Sequence, residues 1–151
     1  MDNCIQRPPE PVTYMKLVSW DSCFGIRPLP DTVVTQRLQL WADGQVKLER
    51  VTEAKQRRRK SFHISPEAAQ KVLSSVGRYF ESVGLLYRVT DCGMWHLTLK
   101  GDEGEPYQAE CSLHEDLFLE DGTGLSDLLR ETLGLPDLFA FNGGIPDEEG
   151  Y

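Results

Sequence analysis

With 151 residues, of which 40% are hydrophobic and 26% charged, the chain has the size and balance of one globular domain, not of a disordered segment. No apolar run approaches the roughly 20 residues of a membrane-spanning helix, and the N-terminal "MDNCIQRPPEPVTY" lacks the apolar core of a secretory signal. A cytoplasmic protein without a membrane association is therefore expected, with its four cysteines as thiols.

In chain order, residues 1–12 read as an extended, proline-rich lead-in. "TYMKLVSW" (13–20) alternates as a strand does, and "DSCFGIRPLPD" breaks it with Gly25, Pro28 and Pro30. Val34, Leu38 and Leu40, then Val46 and Leu48, alternate with polar residues on either side of Asp43-Gly44, which predicts a β-hairpin. "KSFHI" (60–64) reads as a short strand. Ser65 then supplies a helix cap, Pro66 a first helical residue and Glu67 a charge suited to the helix dipole. Ala69, Val72, Leu73, Val76, Phe80 and Val83 continue at helical spacing, with Gly84 as terminator.

"LLYRVTD" reads as a further strand. "MWHLTLKGDEGEPYQAECSL" reads as a second hairpin, with Trp95, Leu97 and Leu99 facing the core across from Tyr107, Ala109, Cys111 and Leu113. The acidic connection "HEDLFLEDGTG" leads to a shorter helix, capped by Ser126 with Leu125 as a hydrophobic staple and ended by Gly134 and Pro136. "DLFAFNGG" closes the domain, and residues 145–151 read as an acidic tail. Strands, helix, strands, helix predict a single α+β domain over 1–151. Its sheet would be mostly antiparallel and built from two hairpins, with one long amphipathic helix and one shorter C-terminal helix packed on it.

The net charge of -8 is unevenly placed. Residues 46–80 carry nine Lys or Arg against three acids, whereas residues 81–151 carry three against sixteen. Such segregation shapes partner choice and encounter rate. The basic share is concentrated in "KQRRRK", where Arg57, Arg58, Arg59 and Lys60 could neutralise phosphates. The run lacks interleaved aromatics until Phe62, which is better used in the core, so a solvated connection is the simpler reading.

Signals for catalysis are weaker. Cys92 and His96 with Cys111 and His114 could in number form a tetrahedral zinc site, but strand alternation turns His96 away from Cys111, and no metal is expected. Cys23 is a candidate nucleophile, with His63, His96 or His114 as possible bases, yet Asp21 beside it would raise rather than lower the thiol pKa. The acidic loops lack the ordering of an EF-hand, and no phosphate-binding or hydrolase motif is present, so no cofactor is called for.

Three motifs, Cys23-Phe24-Gly25, Asp43-Gly44 and Ser65-Pro66-Glu67, occur in an order that resembles small bacterial α+β domains of unknown function. Those domains place a second Cys and a Pro after the glycine, where this chain has Arg27 ahead of Pro28. The resemblance implies the α+β fold and carries no activity with it.

The expectation is thus a non-catalytic acidic protein that docks on and inhibits a protein partner with a basic surface, in the manner of a toxin-immunity or anti-defence inhibitor. Asp102, Glu103, Glu105, Glu115, Asp116, Glu120 and Asp121 are the expected contacts. The alternatives are an accessory protein contacting nucleic acid through Arg57 to Lys60, and an enzyme using Cys23.

Overall fold

The computed structural model describes residues 8–20, 30, 32–82, 93–113 and 117–141. Within them six strands, β1 (Tyr14–Trp20), β2 (Val33–Trp41), β3 (Gln45–Thr52), β4 (Arg57–His63), β5 (Met94–Lys100) and β6 (Tyr107–Ser112), form one sheet. Helix α1 (Pro66–Ser82) follows β4, and α2 (Leu125–Leu133) follows β6. The sheet order is β4-β3-β2-β1-β5-β6, and every pair is antiparallel. The α+β class, the antiparallel sheet and the two helices agree with the sequence. The sheet is more than two hairpins, however: β4 extends the first into a meander, and β1 lies at the centre between β2 and β5.

Alternation explains how the two faces divide. Met15, Leu17, Leu38, Leu40, Val46, Leu48, Leu97 and Leu99 align across the strands and are all buried. Both helices pack on this side. Ala69, Val72, Leu73, Val76 and Phe80 recur at helical spacing and are buried in the same core. The Phe80 ring lies 5.9 Å from both Trp95 and Tyr107.

The turn between β2 and β3 needs its glycine. Gly44 has φ of 100°, and its carbonyl accepts a 2.9 Å hydrogen bond from the Ile64 N–H. A β-carbon there would collide with the Ile64 carbonyl, so the hairpin and the entry to α1 meet over a residue without a side chain. Ser65 caps α1 as expected, its Oγ accepting from the Ala68 N–H at 3.1 Å. The second helix corrects the sequence reading: its cap is Gly124, which offers no side chain, and Ser126 lies inside the helix. The Ser126 hydroxyl instead accepts from the Phe141 N–H at 3.0 Å, a tertiary bond with no local signature. Gly134, at φ of 69°, ends the helix with its N–H on the Arg130 carbonyl.

The closing segment 137–141 is irregular yet contains buried Leu138, Phe139, Ala140 and Phe141. Buried polar side chains satisfy its backbone. The Ser19 hydroxyl donates to the Ala140 carbonyl at 2.9 Å. Arg130 donates to the carbonyls of Leu138 and Phe139. Gln36 bridges the Asp137 carbonyl and the Phe139 N–H.

The expected strand "LLYRVTD", the terminator Gly84 and the tail 145–151 lie outside the described residues. Among the described residues no helix is long and apolar enough to cross a membrane.

Candidate functional site

The basic run is not a connection. Arg57, Arg58, Arg59 and Lys60 are the first four residues of β4, an edge strand paired to β3. Four consecutive cations carry no apolar alternation by which a strand could be read. On an exposed edge the same charges oppose pairing with another chain, which accounts for their tolerance there. All four are exposed. Their side chains divide by parity: Arg59 stands opposite Glu49 on the helix-free face, while Lys60 and Arg58 stand opposite Leu48 and Arg50 on the helix side.

Glu49 organises the guanidinium groups of the helix-free face. Its carboxylate accepts from Arg59 Nε at 3.0 Å, with Arg37 at 3.9 Å and Arg57 at 4.0 Å. The Arg59 hydrogen bond holds the Glu49 carboxyl below its ordinary value of 4.5, and the positive charges of Arg59, Arg57 and Arg37 act in the same direction against partial burial. Because the pKa is depressed in the folded chain, the stability it contributes is present above pH 4.5 and disappears as pH falls through the folded value. Glu49→Gln is accordingly expected to melt below the wild type at pH 7, by no more than about 1 kcal/mol in stability. The two melting curves should converge as pH falls below 4.5; a gap that stays constant down to acid pH would show that the ion cluster contributes nothing.

A groove of about 460 Å³ opens on this face, lined by Arg37, Gln39, Lys47, Glu49, Arg59 and Ser61. Beside it Tyr14 and Trp41 pair across β1 and β2 with ring centroids 5.2 Å apart. Lys100 lies over the Tyr14 ring and Lys47 over the Trp41 ring, at 5.2 and 5.6 Å. Gln39 Nε2 donates to the Tyr14 hydroxyl at 2.8 Å. The sequence reading did not single out this group, although the parity of Tyr14 and Lys16 against Met15 and Leu17 was its available signal.

The acidic residues that are described fall in two turns. Asp102, Glu103 and Glu105 are exposed in the turn joining β5 to β6. Glu120 and Asp121 are exposed in a second turn, closed by the Gly122 N–H on the Leu119 carbonyl. Asp121 Oδ1 accepts from the Thr123 N–H at 3.0 Å. That hydrogen bond holds its carboxyl below the ordinary range. Glu115 and Asp116 lie outside the described residues, as do Cys23, Cys92 and His114.

Between the two acidic positions the chain exposes an aromatic ring. Phe118 is 59% accessible and is the single large hydrophobic side chain left exposed among the described residues. Its neighbours Leu117 and Leu119 pack against the core, so the alternation of this short extended segment drives Phe118 outward. In the sequence it sits inside an acidic connection, where no periodicity marks it.

Of the four possible zinc ligands, the two described are turned apart. Cys111 is buried opposite Trp95, whereas His96 lies on the helix-free face with Nε2 3.1 Å from Gln108 Oε1. No family model matches this chain, and no curated protein is significantly similar to it.

Proposed function

We propose that this chain is a non-catalytic binding protein that docks on, and inhibits, a cytoplasmic protein partner with a basic surface. The observation that carries the reading is Phe118, an exposed aromatic flanked by Glu120 and Asp121. Anchors of this kind fill a partner's pocket and supply much of the binding free energy, while surrounding charge sets encounter rate and selectivity. The turn holding Asp102, Glu103 and Glu105 opens β6, and the segment with Glu120 and Asp121 follows it. Five strand spacings, about 24 Å, separate β6 from the cationic edge at β4.

The test captures partners from host lysate with wild type, with Phe118→Ala, and with Asp102, Glu103, Glu105, Glu120 and Asp121 all changed to Lys. The expected result is one stoichiometric protein whose activity falls on addition of the wild-type chain. Phe118→Ala should weaken that complex about 30-fold at unchanged melting temperature, and charge reversal should abolish it. A partner held equally well by all three chains would overturn the reading.

A further inference from the structure

The helix-free face of the sheet has a composition that the acidic docking surface does not use. Its strands present six cations, Lys16, Arg37, Lys47, Arg57, Arg59 and Lys100, and two carboxylates, Glu49 and Glu110. The face is thus net positive in a chain of net charge -8. Both helices and the 137–141 segment pack on the opposite side, leaving Arg37, Lys47, Arg57, Arg59 and Lys100 exposed.

The strand registers place these groups in ordered rows. One row across the sheet runs Lys100, Tyr14, Trp41, and the next runs Thr98, Lys16, Gln39, Lys47. Rows two residues apart lie about 6.6 Å from one another along a strand. The first row, at the end of the sheet, thus holds two aromatic rings with a lysine over each, and the adjoining row holds two lysines separated by Gln39. The third row runs His96, Val18, Arg37, Glu49, Arg59, where Glu49 takes up part of the guanidinium charge.

We propose that this open face binds single-stranded nucleic acid, with bases stacking on Tyr14 and Trp41 and phosphates held by Lys16, Lys47, Lys100 and Arg37. The chemistry requires each part. A polyanion is drawn by a positive face. Aromatic rings on an open sheet receive unpaired bases of any sequence, because every base has a π face, and a lysine ammonium resting over a ring can move to a phosphate as the base arrives. A duplex hides its base faces and cannot use the two rings. Glu110 on β6 and the acidic turn that follows Lys100 repel the strand beyond β5 and leave it the β5, β1, β2 and β3 rows.

Binding is read by the anisotropy of fluorescein-labelled 12-nucleotide oligo(dT) and oligo(U), with a 12-base-pair duplex for comparison, at salt concentrations from 50 to 200 mM. Single strands are expected to bind at least tenfold tighter than the duplex. Trp41→Ala and Tyr14→Ala should each weaken single-strand binding about tenfold, whereas Trp41→Phe should retain most of it. Lys16→Ala combined with Lys47→Ala should lower the slope of log affinity against log salt by about 1.4, two contacts at about 0.7 each. Melting curves confirm that each variant is folded. Absence of binding at 100 µM wild-type protein, equal affinity for the duplex, or a slope unmoved by the lysine pair would each overturn the proposal.

Discussion

Replacing Trp95 by alanine is expected to lower the free energy of unfolding by about 3–5 kcal/mol. Trp95 is 1% exposed and lies where three parts of the fold meet. It stands on β5, its ring is 5.9 Å from Phe80 of α1, and it is 4.9 Å from Phe141 in an edge-on contact. Edge-to-face pairs of this geometry add to the burial of the ring itself. Removing the indole leaves a cavity bounded by sheet, helix and closing segment, each fixed by its own hydrogen bonds and slow to collapse. Urea unfolding should show a lowered midpoint at unchanged slope. A loss below about 1 kcal/mol would mean that the aromatic cluster is loosely packed.

The second large effect is expected from Gln36→Leu, which keeps volume and removes hydrogen bonds. Gln36 is 2% exposed on β2; its Oε1 accepts from the Phe139 N–H at 2.7 Å, and its Nε2 donates to the Asp137 carbonyl at 3.1 Å. Leucine leaves the buried Phe139 N–H and the Asp137 carbonyl without those partners. At about 1–3 kcal/mol for an orphaned buried group, here the Phe139 N–H, the loss is expected near 1–3 kcal/mol despite the more apolar side chain. Amide hydrogen exchange at Phe139 should accelerate more than exchange in β2. A variant as stable as the wild type would show that the closing segment does not depend on this bridge.

Gln36 also marks what the sequence could and could not reveal. The hairpin at Asp43-Gly44, the cap at Ser65, strand β1 and the core faces of β2, β3 and β5 are legible because each depends on local alternation or local turn chemistry. The central position of β1 was not, because its pairing with β5 joins Tyr14 to Lys100 and leaves no mark on either strand. The start of β4 is not legible because its first four residues are all cationic and show no alternation. A serine at a helix start predicts a cap, but the Ser126 hydroxyl is spent on a residue 15 positions away. The acidic turns were legible as exposed loops. The Tyr14 and Trp41 pair was not, since it exists only once the β1–β2 register is set.

That central strand has a consequence for biogenesis. Strands β1 to β4 and α1 are contiguous in the chain and can assemble as synthesis proceeds, but β1 keeps one edge vacant until β5 is made. Throughout that interval the nascent domain offers an unsealed strand carrying Met15 and Leu17, the kind of template on which chains aggregate and chaperones act. Translation speed through the segment before residue 94 thus sets how long each molecule stays at risk on the ribosome.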